Sequence, residues 1–137
     1  MNKQQNYLTV IHTLRLTPVW NLQGFAADDV RAYHFDTGPR IALRATPGTI
    51  EASMDSDDWR LAKQITMRVP MCDPEGMQQL EALTRTELLA DYIDGTGRHR
   101  LFGSPAYPAR LSYMEEGGAL VVTLTCHDTV PDRQIDD

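Results

Sequence analysis

A chain of 137 residues holds one domain with a core and is too short for two ordinary ones. Its apolar fraction of 42% and charged fraction of 23% sit near the averages of soluble globular proteins and give no push toward a disordered, collagen-like or membrane class. The net charge of -6 is uneven: residues 1–68 carry eight basic and seven acidic side chains and residues 69–137 five and twelve, the wrong sign for wrapping nucleic acid through its phosphates.

In chain order, residues 1–6 are polar and expected to fray. "YLTVIHTLRL", Tyr7 to Leu16, then alternates with the period of a half-buried strand. Thr, His and Arg interrupt it, so neither a signal-peptide core nor a membrane span fits, and synthesis in the cytoplasm without export is expected. Pro18 breaks the run, while Trp20 and Leu22 carry the apolar face to a bend at Gly24. Val30–Phe35 and Arg40–Ala45 predict a hairpin around Asp36-Thr37-Gly38-Pro39.

After Pro47-Gly48, Ile50, Ala52 and Met54 alternate, and a polar cluster containing Asp55, Asp57 and Asp58 follows, read as a solvated loop. It lacks the glycine at position six and the glutamate at position twelve of a calcium loop. Trp59–Val69 is a long strand whose apolar parity, Leu61, Ile65, Met67 and Val69, has one mismatch in Lys63. The period then changes: Met77, Leu80, Leu83 or Thr84, and Leu88 fall three or four apart behind a capping Asp73 and Pro74, which predicts an amphipathic helix with Glu75, Glu81 and Arg85 in water.

Four further strands follow: Leu88–Ile93, Arg98–Phe102, Ala109–Met114 and Leu120–Cys126, the last two joined through Glu115-Glu116-Gly117-Gly118. Residues 129–137 are polar and expected to fray. About eight strands and one helix predict a mainly β domain over 1–137, an antiparallel β-sandwich or barrel flanked by a helix.

Motifs of chemistry are few. "DYIDGTGRHRLFGSP", Asp91 to Pro105, sets two glycines among basic residues, but Arg100 occupies the third glycine position of a dinucleotide fingerprint and a strand follows instead of a helix. Asp94-Gly95 reads as a hairpin turn. His12, His34, His99 and His127 have no metal-ligand spacing, and no serine sits in a nucleophile elbow. Cys72 and Cys126 leave one bridge or two free thiols open, with free buried thiols expected. Trp20, Phe25, Phe35, Trp59 and Phe102 are either core filler or a stacking platform. No catalytic, cofactor-binding or metal-ligating residue is assigned, and no cofactor is expected.

"DPEGMQQLEAL", "LLADYIDGTGRHRLFGSP" and "ARLSYMEEGGALVVTLTC", together spanning about Asp73 to Thr129, resemble small proteins from the tail and neck regions of bacteriophages and prophages, particularly of Bacteroidetes, including tail-tube-like proteins. The final strand departs from that pattern, and the N-terminal half carries no motif of it. The resemblance implies a β-sandwich with a flanking helix that assembles instead of catalysing. It would form homo-oligomers and join other tail or neck proteins through sheet edges, and would end in the virion. The acidic half would then line a lumen along which DNA slides without sticking. Neither specific nucleic-acid binding nor membrane association is expected. Two alternatives stay open: a small-ligand or carbohydrate-binding barrel rimmed by Trp20 or Trp59, and an enzyme whose dispersed site joins His34, Asp36 and His99.

Overall fold

Strand alternation dominates the chain, and the computed structural model, which describes residues 13–46, 49–57 and 60–136, follows it. The first strands are β1 (Thr13–Pro18), β2 (Leu22–Ala27), β3 (Arg31–Thr37), β4 (Ile41–Arg44), β5 (Glu51–Asp57) and β6 (Arg60–Pro70). The single helix α1 (Pro74–Leu83) precedes β7 (Leu88–Ile93), β8 (His99–Phe102), β9 (Arg110–Glu116), β10 (Ala119–Asp128) and β11 (Arg133–Ile135). Tyr7 to His12, Pro47-Gly48, Asp58 and Trp59 lie outside the described residues.

Among the described residues the protein is mainly β with one α-helix, built as two sheets. One has seven strands in the order β2-β3-β11-β8-β7-β1-β4, and the other has four, β5-β6-β10-β9. Their facing sides make the main core: Leu14, Leu16, Leu88, Ala90 and Phe102 from the first meet Ile65, Met67, Leu120, Val122 and Leu124 from the second. Leu80 and Leu83 of α1 close one side, while Glu75, Glu81 and Arg85 stay exposed. Asp73 caps the helix by accepting from the Gly76 N–H at 2.8 Å.

Chain connectivity forces the larger sheet to curl. Only Val19–Asn21, a 3-10 turn, joins β1 to β2, a reach of about 14 Å, yet five strand spacings of about 4.8 Å separate those strands in the sheet. Gly38, Pro39 and Arg40 likewise join β3 to β4 across five spacings. The sheet therefore wraps into a half-barrel. The two connectors touch: Gly38 N–H donates to the Asn21 carbonyl at 3.2 Å, and Asn21 Nδ2 donates to the Pro39 carbonyl at 3.0 Å. A Cβ at Gly38 would lie 2.6 Å from Asn21 Oδ1, so any larger residue there would push the Asn21 amide aside and strain its bond to Pro39. Inside the curl a second apolar cluster gathers Ala32, Leu89, Leu101 and Ile135, with Phe25 and Phe35 packed against it.

Several expectations are corrected. β3 and β4 are not a hairpin: β3 pairs with β2 and β11, and β4 pairs with β1. The hairpin is β2–β3, because the chain past Trp20 pairs as a new strand through Gly24 with register shifts that absorb the break. Asp55 and Asp57 belong to β5, in a tight hairpin where Asp57 pairs with Arg60, and not to a solvated loop. The tail is not frayed through 136: Arg133–Ile135 inserts between β3 and β8, parallel to β3, the one departure from antiparallel pairing among the described residues. Gly117 and Gly118, at φ 61° and 79°, make the two-residue turn between β9 and β10.

Candidate functional site

Two buried charged clusters and one surface groove carry the polar chemistry of the described residues. The first cluster explains the Lys63 mismatch. Lys63 shares the inward parity of β6 and is 2% exposed. Its Nζ lies 2.9 Å from Asp132 Oδ1 and 3.5 Å from Asp128 Oδ2, donates to the Val130 carbonyl, and sits 5.4 Å above the Phe102 ring. The Tyr92 hydroxyl donates to the other Asp132 oxygen, and Arg133 lies 3.5 Å from Asp128. Burial pulls the Lys63 amine down, but Asp132 foremost and then other neighbours outweigh it, so its pKa rises above 10.5 and Lys63 is a protonated cross-link. Cys126, its cross-strand partner, is pushed up to about 12 by burial, and its thiol donates to the Tyr107 carbonyl. Neither group is primed as a nucleophile at neutral pH. Cys72 and Cys126 are both free, Cys72 half-buried and Cys126 buried.

The second cluster lies inside the curl, centred on Asp91. Odd positions of β7 face inward, so Asp91 follows Leu89 onto the concave side and pairs in register with Arg15. Arg15 Nη2 lies 2.5 Å from Asp91 Oδ2 and 3.0 Å from His99 Nε2, and His99 Nε2 lies 2.7 Å from the same carboxylate oxygen. Arg40, from the β3–β4 connector, places Nε 3.6 Å from Asp91 Oδ1 and its guanidinium 5.4 Å over Phe35. One buried carboxylate thus clamps β1, β7, β8 and the connector that closes the curl. Thr17 Oγ1, Arg40 Nε and Asp91 Oδ1 are buried here without a hydrogen-bond partner.

His34, Asp36 and His99 do not converge. The register shift in β3 keeps Phe35 with Phe25 on the concave side, which sends His34 and Asp36 to the opposite face, where they pair with each other at 3.2 Å and remain more than half exposed. His99 joins Asp91 inside. The aromatics divide as well: Phe102 is fully buried, Phe25 and Phe35 meet edge to face at 6.4 Å, and Trp20 is 77% exposed. "IDGTGRHR" is a hairpin turn: Asp94 accepts from the Thr96 and Arg98 N–H groups, the Thr96 hydroxyl and Arg100 Nε. Among the described residues no group of three His, Cys, Asp or Glu side chains is placed to hold a metal.

Sequence reasoning flagged Lys63 but missed both clusters, because their members lie up to 84 positions apart. Asp91, a carboxylate within "LLADYI", was the other available signal.

The groove, about 520 Å3, is lined by Val19, Trp20, Arg85, Thr86, Glu87 and Arg110. Val19 N–H donates to the Glu87 carbonyl at 2.9 Å, and Leu88 exchanges both backbone hydrogen bonds with Ala109, so the walls are tied together. Arg85 pairs with Glu81 at 3.0 Å and Arg110 with Glu87 at 3.4 Å, both on the surface. The chain matches no family model, and comparisons with curated proteins and with solved structures find no match.

Proposed function

We propose that the chain is a non-catalytic assembly protein, a tail- or neck-associated component of a phage or prophage that works as one of several copies joined through sheet edges. One observation carries the reading: the four-stranded sheet is open, with β5 and β9 as edges whose outer backbone groups have no strand partner among the described residues. The Lys63 and Asp91 clusters add support, since their charged groups are engaged in holding strands together. The phage assignment rests on the resemblance over Asp73 to Thr129, which spans α1 and β7 to β10. Size-exclusion chromatography with light scattering tests the assembly reading. Mass rising with concentration is expected, and a monomer persisting to about millimolar protein, where even weak association shows, would overturn it.

A second reading, a small polar-ligand site inside the curl, is favoured by three buried atoms without a hydrogen-bond partner, Thr17 Oγ1 and the ion-paired Arg40 Nε and Asp91 Oδ1. Calorimetric titration with acetate and with inorganic phosphate would give saturable binding, abolished in Arg40→Met. No heat with either anion removes it.

A further inference from the structure

Packing does not account for Trp20. Among the described residues it is the most exposed large apolar side chain, at 77%, yet the turn that carries it is held on both sides. Val19 N–H donates to the Glu87 carbonyl, and the Asn21 carbonyl accepts from Gly38 N–H. The groove beside the indole is polar and balanced: Arg85 faces Glu81 at 3.0 Å and Arg110 faces Glu87 at 3.4 Å, so each guanidinium already has a carboxylate. Glu81 is fixed in turn by the Tyr113 hydroxyl, which donates to it at 2.8 Å.

From this we infer that the groove binds an uncharged pyranose, stacked on Trp20 and hydrogen-bonded through its hydroxyls to Glu87, Arg110 and Arg85. The inference goes beyond the assembly reading and does not depend on how many copies associate.

Three features select this ligand. A pyranose has one face of C–H groups and a rim of hydroxyls, and the negative face of an exposed indole attracts those polarised hydrogens while the rim stays free to bond. The second feature is the pairing of charges. A hydroxyl both donates and accepts, so one sugar hydroxyl can donate to the Glu87 carboxylate and its neighbour can accept from Arg110, and hydrogen bonds to charged groups are the stronger kind. An anion would instead compete with Glu81 and Glu87 for the guanidiniums, on a chain whose net charge is already -6. An apolar ligand would cover both pairs without satisfying them. Each pair is exposed and weak, and one contact apiece leaves most of the five donors of Arg85 and of Arg110 available. The third feature is fit. A volume of about 520 Å3 falls within the range of roughly 300–1,000 Å3 of small-molecule sites. The backbone bonds between Leu88 and Ala109 fix the walls beforehand, so binding orders little of the protein.

The test uses the full chain and the methyl pyranosides of glucose, galactose, mannose and N-acetylglucosamine, each titrated to about 100 mM while the indole N–H resonances are followed by NMR. Saturable movement of the Trp20 signal, assigned by its loss in Trp20→Ala, is expected with at least one sugar, at a dissociation constant of about 1 mM, as suits a ligand of about a dozen atoms. Saturation transfer from protein to sugar then compares variants. Trp20→Ala and Glu87→Gln are each expected to weaken binding by at least about tenfold, with melting temperature nearly unchanged because both side chains are exposed. No movement with any of the sugars overturns the inference. So does movement with acetate or inorganic phosphate in their place, which would mark an anion site, and so does undiminished transfer in either variant. A protein that associates but binds no sugar leaves the assembly reading standing, and a monomer that binds sugar leaves only this inference.

Discussion

At the scale of single residues, Asp94 shows how a turn signal becomes stability. Burial pushes its carboxyl up, but the Thr96 hydroxyl, the Arg100 guanidinium and the Arg98 and Thr96 N–H groups together hold it well below the ordinary 3.8. The depressed value means that the stabilisation is present above about pH 4 and is lost as pH falls toward the folded value. Asp94→Ala is expected to cost about 2 kcal/mol at pH 7, with the gap to wild type narrowing below about pH 4 in urea titrations. Lys63 has the opposite linkage. Its raised pKa gives a contribution complete below 10.5 and lost as pH rises through the folded value. Lys63→Met strands Asp132 and Asp128 in the core, so unfolding at neutral pH should report a loss of about 3–5 kcal/mol. A loss below about 1 kcal/mol would show that Arg133 and Tyr92 suffice to hold the two carboxylates.

At the scale of elements, legibility followed locality. The helix could be read because its cap, its first-turn proline and its 3.6-residue period all lie within one short stretch, and α1 begins at Pro74 as that stretch dictates. Replacing Asp73 with alanine removes the 2.8 Å bond to Gly76 N–H and is expected to cost about 1 kcal/mol, measured by thermal or chemical unfolding. β7 ran from Leu88 to Ile93 as its pattern indicated, and the Gly117-Gly118 turn fell where two positive φ angles are needed. β3 and β4 failed for a definable reason. Asp36-Thr37-Gly38-Pro39 is good turn chemistry, but a turn signal says only that the chain bends, and here it bends across the mouth of a curled sheet to a strand five places away. β11 was illegible because three residues within a polar tail carry no period, and the pairing is supplied by neighbours some 30 to 100 positions away.

At the scale of the whole molecule, the curl depends on one buried carboxylate. Asp91→Ala would leave Arg15, Arg40 and His99 without the group that gathers them, and an expected cost of about 3 kcal/mol is at the lower end for a broken buried pair because both guanidiniums reach water. Denaturation would report the loss, and hydrogen exchange should show β1 and β4 losing protection before β6 and β10. Uniform loss across both sheets would mean that Asp91 does not act as a local clasp.

Composition, strand alternation, the helix and the turns were determined by the sequence alone, because each depends on contacts between residues close along the chain. The order of the strands, the curl, the placing of Lys63 and Asp91 in buried ionic clusters, and the separation of His34 from His99 were decided by the tertiary structure. Those outcomes depend on which distant segments come together and on how far a three-residue connector can reach, and no local period encodes either.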